Sequence, residues 1–154
     1  MAKSLLNKDI NHEVCFKELA KSGSEKRIFN AMTELYTLAA VIGFVNGDRK
    51  KISKSSSDPI KLVYFSDDDL AIMNMIALME CKDSEDELFL LRKENEEEKY
   101  KLIEEYACAG MEIIKKEVYD KEDYLEAIME LAENYKNPES KDPSQSILNI
   151  FFGE

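Results

Sequence analysis

The stretch that decides the fold is Ile28-Phe29-Asn30-Ala31-Met32-Thr33-Glu34-Leu35-Tyr36-Thr37-Leu38-Ala39-Ala40-Val41-Ile42-Gly43-Phe44-Val45-Asn46-Gly47. Apolar residues recur at three- and four-residue steps through Ile28, Phe29, Met32, Leu35, Tyr36, Ala39, Ala40 and Ile42, which is the period of a helix. The spacing predicts a central helix over 25–45, with Ser24 placed to cap its start and Asn46-Gly47 supplying a left-handed stop. From Leu38 onward this helix is apolar on nearly every side, so its C-terminal half should be the most buried part of the protein. Ala39, Ala40 and Gly43 keep it thin enough for another helix to pack closely, and Gly110 reads the same way.

Working outward, Ile10, Val14, Phe16 and Leu19 give a looser helical period that ends at Ser22-Gly23-Ser24. On the other side a Lys- and Ser-rich loop spans 48–58, and Pro59-Ile60-Lys61-Leu62-Val63-Tyr64-Phe65 has the β-branched and aromatic character of a short strand. Ser66 followed by Asp67, Asp68 and Asp69 reads as a helix cap with acids in the first turn, opening a helix through Cys81. A further helix is expected to start over 84–91, and the charged run 92–99 is either a solvated turn of it or a break. Helices over 100–118 and 120–136 follow, the last carrying Tyr124, Ile128, Leu131 and Tyr135 on one stripe. The expectation is a mainly α, compact helical domain of five or six helices with one short extended segment. It forms one domain over 1–154, with a loosely packed N-terminal segment at 1–24 and a C-terminal tail at 137–154.

Composition narrows the function classes. A hydrophobic share of 44% beside a charged share of 34% is enough for a real core under a heavily charged surface. Cys15, Cys81 and Cys108 are scattered among core-facing residues, as reduced thiols would be, so no disulfide framework is expected. No apolar run is long enough for a membrane span and the N-terminus lacks a signal-peptide pattern, which together predict a cytoplasmic protein with no membrane partner. The net charge of −11 opposes general attraction to nucleic acid, yet it is uneven. Residues 1–55 hold ten Lys/Arg against six Asp/Glu, leaving eleven against twenty-six for the remainder.

Catalytic patterns are thin. His12 is the single histidine, which removes His-pair zinc sites and most imidazole triads within one chain, and its loose surroundings read as an exposed helix position. The Asp67–Asp69 cluster lacks the Gly and Glu spacing of a calcium loop, so capping is its expected role. Glu97-Glu98-Lys99 and Glu139-Ser140-Lys141 match nuclease letters but lie on no strand that would aim them at a metal. No catalytic residue, metal or cofactor is expected. The basic loop Arg49, Lys50, Lys51 and Lys54, with its serines, is placed to contact phosphates, although no aromatic is interleaved for base stacking and a solvated loop is the plainer reading. The tail cluster Ile150, Phe151 and Phe152 is expected to dock into the protein's own core or into a partner.

The string Ile28-Phe29-Asn30 with Leu38-Ala39-Ala40-Val41-Ile42-Gly43-Phe44-Val45-Asn46-Gly47-Asp48-Arg49 resembles the signature of the DNA phosphorothioation-associated protein 4 family, small proteins encoded beside bacterial DNA phosphorothioation genes. The block Glu105-Tyr106-Ala107-Cys108-Ala109-Gly110-Met111-Glu112-Ile113-Ile114 is similar to the family's second block, and the likeness spans 25–118. It implies an accessory role in anti-phage defence clusters and not an enzyme. Protein–protein assembly leads among the readings, with acidic helices steering a basic partner and a Met-rich face including Met73, Met75 and Met79 adding contact area. Contact with DNA through the basic loop, alone or in a homo-oligomer that gathers the loops on one face, stands second. An acidic inhibitor that masks a basic effector stands beside it.

Overall fold

The computed structural model describes residues 4–25 and 27–135. Among them are five α-helices and a two-stranded sheet, in agreement with the mainly α expectation. The helices are α1 (Glu13–Ala20), α2 (Met32–Asn46), α3 (Asp67–Glu80), α4 (Glu96–Ile114) and α5 (Tyr124–Tyr135). Strands β1 (Leu5–Leu6) and β2 (Ile60–Lys61) pair antiparallel, with Leu5 opposite Lys61 and Leu6 opposite Ile60. None of the described helices is long and apolar enough to cross a membrane.

The α2–α4 pair organises the core. Every residue of α2 from Leu35 to Gly43 is buried, as is nearly all of α4 from Leu102 to Met111. The two helices touch backbone to backbone at two places. A Cβ on Gly43 would overlap the Tyr106 carbonyl, and one on Gly110 would overlap the Ala39 carbonyl. Because 43 meets 106 while 39 meets 110, the helices run antiparallel, and each supplies one glycine to the crossing. A side chain at either position would hold the backbones apart, which is why the sequence thins there.

Local chemistry sets the boundaries. Gly47 ends α2 at φ 69°, its amide donating to the Phe44 carbonyl while the Asp48 amide reaches the Gly43 carbonyl, so a residue without a Cβ closes the helix. Ser66 and Asp69 exchange hydrogen bonds at the start of α3, the Ser66 hydroxyl accepting from the Asp69 amide at 3.0 Å and the Asp69 carboxylate from the Ser66 amide at 3.1 Å. This is the capping box that the sequence indicated.

Three expectations are corrected. The central helix begins at Met32 and not at Glu25. The Ser24 hydroxyl donates to the Glu18 carbonyl, and the amides of Ile28 and Phe29 both turn to the Leu19 carbonyl at the end of α1. The start of α2 is served by Glu34, whose carboxylate accepts from the Asn30 amide. The helix expected over 84–91 is instead a series of turns with a short 3-10 segment at Phe89–Leu91, after Asp83 adopts a left-handed φ of 67°. The Asp86 carboxylate then takes the Leu88 amide and the Arg92 guanidinium, fixing a turn where a helix would need those groups elsewhere. The charged run is accordingly a break, and α4 starts at Glu96.

The segment expected to pack loosely does not. Leu6, Cys15, Phe16 and Leu19 are buried, Tyr36 donates its hydroxyl to the Asn7 carbonyl, and the Tyr36 ring stacks on Phe16 and meets Phe65 edge to face. All three cysteines are free and buried. Met73 is fully buried in the protein's own core, so it adds nothing to an exposed methionine face; Met75 and Met79 remain partly covered.

Candidate functional site

The basic loop is held by the body of the protein. Arg49 sends Nε and Nη2 to one oxygen of Glu105 at 3.2 and 2.9 Å, places Nη1 3.5 Å from Glu80, and lies over the Tyr106 ring. Tyr106 in turn donates its hydroxyl to Glu80, and burial together with that carboxylate pushes its phenol well above the usual tyrosine range. Lys50 donates its backbone amide to the Glu105 carbonyl and its ammonium to Glu112 at 2.8 Å. Two of the four cations are thus paired with α4.

Below the loop lies a buried polar cluster that the sequence did not disclose. His12, expected at the surface, is 1% exposed, and its Nε2 sits 2.8 Å from the same Glu112 oxygen that receives Lys50. The hydrogen bonds from Lys50 and His12 hold the Glu112 carboxyl below the usual glutamate range, and the bond to Glu112 raises Lys50. Asp9 caps the turn at Ile10–His12 through the Asn11 amide and accepts both the amide and hydroxyl of Ser53. Burial pushes its carboxyl up, but these hydrogen bonds outweigh it and the net shift is downward. Lys8, 2% exposed, reaches Glu13 at 3.2 Å, while Ser56 donates to the other Glu13 oxygen. The Asn7 amide donates to Glu104. The usable signal is the carboxylates Glu104, Glu105 and Glu112 in the otherwise uncharged stretch 102–114, which need partners if buried.

This arrangement is a clamp. The cavity between Asn7, Lys8, Asp9, His12 and Glu104 holds only about 10 Å³, too little for a substrate. Among the described residues, no group of three or more His, Cys, Asp or Glu is placed to hold a metal ion. Glu97 and Glu98 are exposed in the first turn of α4, where Lys99 bonds instead to Asn74. Glu139, Lys141 and the cluster Ile150, Phe151 and Phe152 lie outside the described residues. Lys51 and Lys54 are exposed and carry no ion pair among the described residues, whereas Arg49 and Lys50 of the same expected set are paired with Glu105 and Glu112.

Two surfaces remain. In the turns before α4, Leu90 points into the core while Leu88, Phe89 and Leu91 stand exposed. Exposed acids surround them in the chain at Asp83, Glu85, Glu87, Glu94, Glu97 and Glu98, against Lys93 and an Arg92 already bound to Asp86. The second is an open groove of about 880 Å³ between α2, α3 and α5, floored by Leu38, Ile72 and Ile128 and edged by Glu34 and Asp68.

No curated protein and no solved structure matches the chain. A family described as DNA sulphur modification system-associated protein 4 matches it over residues 8–150, a span that contains the α2–α4 pair, both surfaces and all of the clamp but Asn7. The chain belongs to that family of DNA sulphur modification system-associated proteins.

Proposed function

We propose that the protein is a non-catalytic accessory component of a DNA sulphur modification system, an adaptor that assembles with a basic protein of that system. The observation that carries this reading is the 83–98 surface. Three large apolar side chains are exposed within four residues, Leu88, Phe89 and Leu91, beside six exposed carboxylates. A partner that covers the leucines and phenylalanine gains buried apolar area, and a positive rim on that partner speeds encounter and fixes its orientation. The turn is already rigid, because Asp86, Arg92 and the Asn95 amide bonded to the Phe89 carbonyl hold it, so little ordering is lost on binding. The clamp argues against the nucleic-acid reading, since Arg49 and Lys50 neutralise carboxylates of their own chain.

The test uses the intact protein mixed with the purified proteins of the modification system, after nuclease treatment, with complex formation followed by size-exclusion chromatography at moderate salt. A stoichiometric complex should form and should weaken by about 10- to 100-fold in Leu88→Glu/Phe89→Glu, as for central interface residues. Lys51→Glu/Lys54→Glu should leave it intact. Binding of duplex DNA by the protein alone, lost in the lysine pair and retained in the Leu88 and Phe89 pair, would overturn the proposal in favour of DNA contact.

A further inference from the structure

The groove between α2, α3 and α5 is lined by Leu38, Met75, Ile128 and Met129 along an opening of about 880 Å³, the size at which pockets enclose ligands with several large apolar groups. Met129 is 61% exposed on a helix whose opposite side is buried through Tyr124, Ala127 and Leu131. We propose that this groove is the seat of the chain's own C-terminal segment, residues 147–152. This inference stands on the groove and the tail alone and is independent of the partner reading above.

Continuity, reach and chemistry all point to that occupant. The groove is walled by α5, the helix from which the tail directly continues, so the occupant is present at every copy of the site without a second molecule. The eleven residues between Tyr135 and Ile147 can span up to roughly 36–40 Å. The twelve residues of α5 measure only about 18 Å, so the tail can return along the whole helix with slack. Five of the six residues in Ile147-Leu148-Asn149-Ile150-Phe151-Phe152 are apolar, and Ile147, Ile150 and Phe151 follow the three- and four-residue spacing with which a helical segment anchors in an apolar groove. The family match continues to residue 150, into this block. A partner's peptide would arrive with an effective concentration set by diffusion, whereas the tail is tethered at millimolar effective concentration by a short linker.

The experiment places the photoreactive residue p-benzoylphenylalanine at position 151 of the full-length chain, irradiates it in dilute solution, and maps the adduct by mass spectrometry. Benzophenone inserts preferentially into methionine C–H bonds, so the expected product is a cross-link within one chain to Met129 or Met75. Met129→Glu, at an exposed position that should not disturb folding, should cut its yield several-fold while circular dichroism stays unchanged. In parallel, Phe151→Asp/Phe152→Asp should raise the fluorescence of an apolar dye several-fold, and added peptide 144–154 should reverse the rise. Adducts between two chains would assign the groove to a second copy and overturn the proposal. So would adducts elsewhere on the same chain, the absence of adducts, or dye binding that is already full in the unaltered protein.

Discussion

Gly110→Ala adds one methyl group at the tightest point of the α2–α4 crossing, and its effect should be opposite to what helix propensity suggests. In an exposed helix the change gains about 1 kcal/mol. Here the new Cβ would overlap the Ala39 carbonyl and lie 2.9 Å from the Ala39 Cα. All of these atoms are backbone, so no rotamer change relieves the overlap. Restoring an ordinary carbon separation of about 3.5–4.0 Å requires the helices to part by roughly 1 Å, enough to forfeit a quarter to a half of each dispersion contact along the seam. Overpacking of this kind costs about 1–3 kcal/mol, and a rigid obstruction between the two most buried helices belongs at the upper end. Subtracting the propensity gain leaves a net loss of about 2 kcal/mol. With a urea slope of about 2 kcal/mol/M, the unfolding midpoint should fall by about 1 M with an unchanged slope. Ala39→Gly should not rescue it, because that change removes a methyl and leaves the obstructing carbonyl in place. A Gly110→Ala protein with a midpoint at or above that of the parent would refute the backbone contact and the antiparallel register drawn from it.

Three other outcomes follow from particular contacts. Ser66→Ala removes the capping hydroxyl of α3 and should cost about 1 kcal/mol, read from the same denaturation curves. Arg49→Ala leaves Glu105, 8% exposed, without its guanidinium and should lower stability by about 1–2 kcal/mol, whereas Lys51→Ala should stay within about 0.5; a thermal-shift comparison separates them. Glu112 has its carboxyl held below the ordinary range in the folded state, so its contribution is present above the unfolded glutamate pKa and is lost as pH falls through the lower folded value. Glu112→Gln should therefore be less stable than the parent near neutrality and should show a shallower loss on acidification. Parallel acid-side curves for the two proteins would argue against the pairing with Lys50 and His12.

What the sequence reveals is what depends on neighbours in the chain. Ser66 and Asp69 are three residues apart, and Gly47 follows its helix directly, so both caps are legible as local patterns. The thinning at Gly43 and Gly110 is legible as well, although only the fold shows that the two glycines lie on opposite sides of one crossing. The misreadings share a different cause. Ser24 looks like a cap until the end of α1 draws its hydroxyl and the following amides away, and the 84–91 run looks helical until Asp86 gathers Arg92. His12 looked exposed because the partner that lets it be buried, Glu112, is a hundred positions away. A weak local period left its environment undetermined, and a long-range hydrogen bond decided it.

The same long-range pairing changes the meaning of the charge distribution. Counted along the chain, a basic N-terminal third meets an acidic body, which invites a picture of a basic arm reaching for phosphate. In the fold, Lys8 is buried against Glu13, Arg49 is matched with Glu105, and Lys50 with Glu112. Two of those three carboxylates belong to the acidic body, so half of the N-terminal excess of cations, ten against six, is neutralised inside the clamp that fixes the loop to α4. The charge left facing outward includes the acids of 83–98 together with Asp67 and Asp68, and it is predominantly negative. A polyanion approaching that exterior is repelled at distances longer than a hydrogen bond, while a basic protein is drawn toward the side that also offers Leu88, Phe89 and Leu91. On the adaptor reading proposed above, such a surface favours contact with the proteins that handle the duplex over contact with the duplex itself.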